Sequence, residues 1–287
     1  MLAIRKSIQF VKDNKARMFW LWMAYQAIKG SLTLTLIWIP LFLLWKRNGG
    51  LETFWPDWGS FILANLAFVG SHIALLLPAV KASLINRVGR TAFWTLFTLV
   101  SISSFAFALY TALLAPRDVV WAISLWHVAV TIALTVLSVF FLVFGILSPN
   151  ALSISIRPAA FEPNAPGFLR ITRHPILWAI VFWAIGHIIS NGEASLIVFF
   201  GLQAVFSLVG MTMLDKRQKR LRGEECWKEV SQSTGFFPNP LRLRLSFKDG
   251  AIKRPWRAAL IAGLLFVALI VIHPFLFGVS PLSWLMS

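Results

Sequence analysis

Apolar residues along most of this chain run in stretches of about twenty, and the polar residues cluster between them. A continuous stretch of that length matches a helix that crosses ~30 Å of hydrocarbon. Because lipid offers the backbone no partner, each stretch must close its own hydrogen bonds as a helix. The pattern predicts an all-α fold, a polytopic transmembrane helical bundle of about seven spans. These lie at 18–45, 59–81, 91–115, 119–148, 172–190, 193–214 and 257–279.

The first span is the least regular of the seven. Lys29 interrupts it, and the preceding residues include the basic segment "IRKSIQFVKDNKAR". Either the whole stretch crosses the membrane, or residues 2–29 lie partly along its surface and 30–45 cross alone. Residues 1–50 are therefore predicted to be an N-terminal extension.

The remaining spans, with the loops between them, form the main part of the chain. Residues 55–287 are predicted to be one transmembrane domain, with cytoplasmic loops at 149–171 and 215–256. Four prolines in the first of these loops predict an extended surface segment, since proline stops helix propagation. The second loop is basic, and a short helix is predicted around "EECWKEV", ending before Gly235.

The distribution of basic residues predicts the orientation of the chain. With seven spans, 23 of the 27 Lys and Arg residues fall on one membrane face and only three on the other. The positive-inside rule then places the N-terminus in the cytoplasm and the C-terminus outside. This topology accounts for the net charge of +16 through contact with anionic membrane lipids, without nucleic acid. The expected location is a bacterial inner membrane.

The chemistry-bearing residues of the chain are few. The single cysteine, Cys226, excludes an internal disulfide and is expected to be a reduced thiol. The chain has no CxxCH haem attachment, HExxH metal motif, glycine-rich phosphate loop or nucleophile elbow. Candidate chemistry therefore rests on the histidines, all of which fall in or at the ends of predicted spans: His72, His127, His174, His187 and His273.

Ionisable residues inside a bilayer are costly and usually face an interior site. Each histidine alone is equally well explained by a neutral ring that bonds a neighbouring carbonyl group. Five together favour a functional site.

His174 and His187 have different predicted roles. They are 13 residues apart, which on a helix is about 220° of rotation and ~20 Å of rise, so they cannot share a metal. Arg173 and His174 precede Pro175 at the cytoplasmic start of a helix, where unpaired amides attract anions. These two residues are predicted to form a site for a lipid headgroup or an anionic cofactor.

His187 lies near the outer end of the same span. Trp183 and Asn191 lie one turn before and one turn after it on the same helical face, and both are predicted to line a pocket. His72, His127 and His273 also fall in the outward half of the bilayer, where His127 and His273 are further pocket candidates. A bis-histidine haem would need two of these rings to face each other across iron. The predicted depths of His72 and His187 differ, at about 20 Å and 6 Å below the outer surface.

Four separated blocks resemble the NnrU family of membrane proteins. They begin "GSHIALLLPAVKASL", "RITRHPILWAIVFWAIGHIISNG", "DKRQKRLRGEECWKEV" and "HPFLFGVSPL", and together they cover about residues 59–287. In bacteria this family is associated with nitrogen-oxide respiration, without a settled reaction for its members as a class. Its plant branch, the 15-cis-zeta-carotene isomerase, is a haem b enzyme. The resemblance implies haem b bound by His72 and His187, and a lipid-soluble substrate such as a polyene that is isomerised between cis and trans forms.

Two alternatives stay open from the sequence. The segment "RHP" is also similar to the isoprenylcysteine carboxyl methyltransferases and their relatives, which implies S-adenosylmethionine bound by Arg173, His174, Glu224 and Glu225. The aromatic and glycine that usually follow that segment are replaced by Leu177 and Ala179, which weakens this similarity. The other alternative is a non-enzymatic assembly factor whose histidines only join helices.

Overall fold

The described part of the chain is built from eight α-helices. A computed structural model describes residues 51–157, 161–243 and 255–283, together with the single positions 23, 39, 42 and 46. The helices are α1 (Leu51–Leu76), α2 (Pro78–Val88), α3 (Arg90–Leu114), α4 (Leu125–Leu147), α5 (Pro175–Asn191), α6 (Ala194–Arg222), α7 (Glu224–Ser233) and α8 (Pro255–Phe277). These residues contain no strand, and the all-α prediction is confirmed.

Five of these helices are long and apolar enough to cross a membrane: Phe54–Leu76 within α1, and the whole of α3, α4, α6 and α8. Helix α5 is apolar but has only 17 residues. Each of these six helices overlaps a predicted span. Apart from the single positions 23, 39, 42 and 46, the first predicted span, 18–45, and the N-terminal extension lie outside the described residues. The count of seven crossings and the cytoplasmic N-terminus stay predictions.

The chain divides into two compact units, Met1–Asp118 and Val119–Ser287. The boundary falls inside the stretch that the sequence predicts to be one domain. In the first unit, α1 packs against α3, and α2 contacts both. The buried stripe of α1 has helical spacing and consists of Phe54, Trp58, Phe61, Ala64 and Phe68. Phe68 meets Phe105 of α3 with their ring centroids 6.0 Å apart.

In the second unit, α5 packs between α4 and α6, while α8 packs on α4 and α7 on α6. Gly145, near the end of α4, permits a close approach to the start of α5. A Cβ atom there would lie 3.0 Å from side-chain atoms of both Pro175 and Ile176. An aromatic cluster of Phe140, Phe141, Phe144 and Phe168 fills the space beside this contact. The start of α5 is therefore held firmly against α4.

The turn between α5 and α6 is covered by the segment that precedes α4. The N–H of Val120 donates to the carbonyl of Gly192 at 2.7 Å, and the indole of Trp121 donates to the carbonyl of Ile189 at 3.2 Å. Residues 119–124 are not helical, and α4 begins only at Leu125, after the extended N-cap residue Ser124. The predicted span over 119–148 is therefore too long at its start.

The loop at 149–171 differs from its prediction. Asn150 and Leu152 are buried, and Leu152 packs with Leu169 and Val230. The side-chain oxygen of Asn150 accepts from the N–H groups of Leu152 and Ser153, so this backbone is buried with its donors satisfied. The prediction of an extended surface segment is wrong for this part of the loop. The short helix predicted around "EECWKEV" is confirmed as α7.

Candidate functional site

The segment before α5 is fixed by a second segment that is distant in sequence. The N–H of Arg173 donates to the carbonyl of Gly235 at 2.8 Å, and the hydroxyl of Thr172 donates to the carbonyl of Phe236 at 2.8 Å. Gly235 is required here, since a Cβ atom would collide with the carbonyl oxygen of Ile171. Pro175 then occupies the first turn of α5, as predicted.

Arg173 pairs with Asp215, near the end of α6. Its Nε lies 2.9 Å from Oδ1 and its Nη2 lies 2.5 Å from Oδ2, which is the two-point geometry of a strong arginine–carboxylate pair. The guanidinium also lies over the rings of Trp227 and Phe236, at 5.2 and 5.5 Å. The Arg173 side chain is only 8% exposed, so its charge depends on Asp215 for compensation.

His174 is fully buried and uses both ring nitrogens. Its Nε2 lies 2.9 Å from Oδ1 of Asp215, and its Nδ1 lies 2.9 Å from Oγ of Ser153. A carboxylate paired with arginine only accepts hydrogen bonds, so Nε2 carries the proton of the neutral ring. Nδ1 is then the acceptor, and the hydroxyl of Ser153 donates to it. We call Ser153, His174, Asp215 and Arg173 the buried polar cluster.

This arrangement bears on the predicted anion site at Arg173 and His174. The carboxylate of Asp215 already bonds the guanidinium of Arg173 and the Nε2–H of His174. A headgroup or anionic cofactor would have to displace that carboxylate or take donors other than these atoms. Sequence reasoning did not assign Asp215 and Ser153 to this site. For Asp215 a signal was present, because an acid at the end of the sixth span is predicted to share a membrane face with Arg173.

His187 lies on α5 within an aromatic group. Its Nδ1 is 2.8 Å from the carbonyl oxygen of Trp183, and its ring centroid lies 5.1 Å from that of Trp183 and 4.8 Å from that of Phe200. A carbonyl only accepts, so Nδ1 carries the proton and Nε2 carries the lone pair. Asn191 donates to the carbonyl of His187 at 2.6 Å. The predicted neighbours Trp183 and Asn191 are thus both in contact with His187.

His72 repeats this arrangement in the first unit. Its Nδ1 lies 2.7 Å from the carbonyl oxygen of Phe68 on α1, which again assigns the proton to Nδ1. The ring lies against Phe68 at 4.4 Å and against Phe97 of α3 at 5.4 Å. His72 and His187 therefore share the same tautomer and an aromatic setting, each within its own unit.

His127 has the opposite tautomer. Its Nδ1 accepts from the backbone N–H of Ser124 at 3.0 Å, so Nε2 carries the proton. Together with Ser124 it forms a capping box at the start of α4. A helix-end role thus accounts for His127. The pair Ser124 and His127, three residues apart, was a local signal for this cap.

His273 bonds beyond the end of its own helix. Its Nδ1 lies 2.7 Å from the carbonyl oxygen of Val279, which follows α8, and its ring contacts Phe277 at 4.9 Å. This bond closes the C-terminal end of α8. It accounts for the polar ring at this position and leaves the lone pair on Nε2.

The acids of the methyltransferase alternative lie in the first turn of α7. Glu224 pairs with Lys219 at 2.8 Å, and both Glu224 and Glu225 are exposed. Arg173 and His174 are paired with Asp215 instead. Among the described residues, no group of three or more His, Cys, Asp or Glu side chains could hold a metal ion.

The fold and these sites define a class of protein. The described residues are mostly helical and include five apolar helices long enough to span a membrane, which is the architecture of an integral membrane protein. The particular family follows from comparison with known families. The chain matches the family described as "NnrU protein" over residues 60–281 and belongs to it. Comparison with curated proteins and with solved structures gave no match.

Proposed function

We propose that this NnrU family member is a haem-binding membrane protein in which His187 would bind a haem b iron through its ring nitrogen. The observation that carries this proposal is the hydrogen bond from Nδ1 of His187 to the carbonyl of Trp183. It leaves the lone pair on Nε2, and a histidine ligand to iron is normally oriented by just such a bond from its other nitrogen. The rings of Trp183 and Phe200 beside it provide an apolar setting suited to a porphyrin.

The family resemblance implies His72 as the other histidine that would bind the haem iron. Its Nδ1 donates to a carbonyl in the same way, so its tautomer also suits ligation through Nε2. His127 does not suit it, since Nε2 there carries the proton while Nδ1 is engaged by Ser124. When bound, haem supplies a redox-active iron inside the hydrocarbon region. The residues of this chain would orient it and exclude water.

Two roles for such a haem follow from the resemblance. One is cis–trans isomerisation of a lipid-soluble polyene, and the other is a function in nitrogen-oxide respiration. We favour a lipid-soluble substrate, because the exposed surfaces of the spanning helices are apolar and open to the bilayer. The expected partners are therefore membrane lipids and a lipid-soluble small molecule.

An absorbance spectrum tests the haem proposal. The full-length protein, expressed with ample haem and purified in detergent, is expected to show a Soret band. His187→Ala and His72→Ala are each expected to shift or abolish the band, because each would remove a nitrogen that binds the iron. The matched control is His127→Ala, which removes an intramembrane histidine of the other tautomer and is expected to leave the Soret maximum unchanged.

The proposal fails if the purified protein has no Soret band, or if the band survives unchanged in both His187→Ala and His72→Ala. A band that responds to His127→Ala instead would show that the tautomer argument selects the wrong histidines. Each variant is also checked for folding by size-exclusion chromatography, so that loss of haem is read only from folded protein.

A further inference from the structure

The buried polar cluster contains a serine, a histidine and an aspartate joined in sequence by hydrogen bonds. Oγ of Ser153 lies 2.9 Å from Nδ1 of His174, and Nε2 of His174 lies 2.9 Å from Oδ1 of Asp215. This is the connectivity of a nucleophile, a general base and the acid that orients the base. The three residues come from different parts of the chain, so no short motif reveals them.

The protons of this cluster are placed as nucleophilic catalysis requires. Asp215 is ionised because Arg173 bonds both of its oxygens, and its Oδ1 accepts the Nε2–H of His174. The lone pair on Nδ1 therefore faces the hydroxyl of Ser153 and can accept its proton.

Ser153 is held in place by its loop and is only partly buried. Its N–H donates to Oδ1 of Asn150 at 3.2 Å, and the amide of Asn150 donates to the carbonyl of Arg173 at 3.0 Å, which ties the serine loop to the segment that carries the base. His174 is fully buried, whereas Ser153 is only partly buried. A substrate would therefore have to approach through the exposed part of Ser153, because the ring of His174 itself has no exposed surface.

The position of this cluster along the chain indicates the substrate class. Ser153 follows the end of α4 at Leu147, and His174 precedes the start of α5 at Pro175, so both lie where apolar helices end. The ends of spanning helices meet the headgroup region, where the ester bonds of membrane lipids are also found. We propose that Ser153 is a nucleophile, activated by His174 and Asp215, that acts on carboxylic esters at the bilayer surface.

The reaction is ester hydrolysis with water as the second substrate. Oγ of Ser153 forms a bond to the ester carbonyl carbon while its proton passes to Nδ1 of His174. The bond to the alcohol oxygen then breaks, and the alcohol leaves with that proton. Water attacks the acyl group through the same base, which releases the carboxylic acid and restores the Ser153 hydroxyl. This activity is separate from the haem proposal, because it uses no residue near His187.

Covalent labelling tests this proposal directly. A fluorophosphonate added to the full-length protein in detergent is expected to add to Ser153, with loss of fluoride, and peptide mass mapping would locate the adduct. Ser153→Ala is expected to abolish labelling. The control is Ser155→Ala, two residues away in the same loop, where the hydroxyl oxygen accepts the N–H of Arg157, and labelling should be unchanged. Absence of an adduct on the wild-type protein, or an adduct that persists in Ser153→Ala, would overturn the proposal.

A cysteine substitution provides a second readout that does not depend on the probe. In a Cys226→Ser background, Ser153→Cys and Ser155→Cys each carry one thiol in the same loop. A thiol beside His174 forms thiolate more readily, so Ser153→Cys is expected to react with iodoacetamide at neutral pH at least about tenfold faster. Equal rates in folded samples would show that His174 is only a structural partner of Ser153.

Discussion

Asp215 sets the positions of two side chains that the sequence places next to each other. It accepts hydrogen bonds from both Arg173 and His174, and its own side chain is only 16% exposed. A buried charge without its partner is costly, because neither water nor another ion replaces the lost interaction. The ion pair of Arg173 with Asp215 therefore specifies where the start of α5 meets the end of α6.

Arg173→Ala is expected to lower the free energy of unfolding by about 3 kcal/mol, since it leaves the carboxylate of Asp215 without its guanidinium. Unfolding in mixed detergent micelles measures the change. The matched control is Lys219→Ala, at a residue that lies on α6 like Asp215. It breaks the exposed pair with Glu224 of α7 and is expected to cost less than about 1 kcal/mol. Similar costs for the two variants would contradict the claim that burial decides the value of the pair.

The turn between α5 and α6 depends on one backbone conformation. Gly192 has φ +66°, in the left-handed region, and its carbonyl accepts the N–H of Val120. A Cβ atom there would also collide with the carbonyl oxygen of Trp121. Two independent constraints, the torsion angle and the close approach, therefore require glycine at this position.

Gly192→Ala is expected to destabilise the folded protein by at least about 2 kcal/mol, through backbone strain and displacement of the segment at Trp121. The comparison variant is Gly201→Ala within α6, where a Cβ atom meets nothing within 4 Å. There the stability is expected to be unchanged or raised by up to about 1 kcal/mol. The same unfolding assay reads both variants, and equal losses would argue against a special role for the turn.

The topology of the whole chain rests on the distribution of its basic residues. Cys226 is exposed on α7, in the loop that carries the most Lys and Arg residues, and is predicted to face the cytoplasm. Arg117, which follows α3, is exposed and predicted to lie on the opposite face. A membrane-impermeant thiol reagent can therefore distinguish the two faces.

In intact cells that express the protein in their inner membrane, Cys226 is expected to stay unlabelled by an impermeant maleimide and to react once the membrane is permeabilised. The variant Cys226→Ser with Arg117→Cys is expected to show the reverse, with labelling before permeabilisation. Labelling of Cys226 in intact cells would invert the predicted orientation. Labelling of both position 117 and Cys226 in intact cells would place them on the same membrane face. The prediction of three crossings between them would then be wrong.

The sequence alone determined most of the described helices, although it did not predict α2 (Pro78–Val88) as a separate element. The lengths of the apolar runs predicted the helices that can span a membrane, Pro175 marked the start of α5, and the pattern around "EECWKEV" predicted α7. These features depend on interactions within a single helix, such as backbone hydrogen bonding and the restrictions that proline imposes. Such interactions can be deduced from a stretch of sequence without knowledge of its neighbours.

Only the tertiary structure decided which side chains meet. His174 bonds Ser153, 21 residues before it, and Asp215, 41 residues after it, and the loop with Asn150 is buried although its prolines suggested an extended surface segment. The tautomers of His72 and His187 likewise depend on which carbonyl each ring reaches. The physical reason is that side-chain contacts change when one helix shifts by a single turn of ~5.4 Å against another, and helical periodicity does not determine that shift.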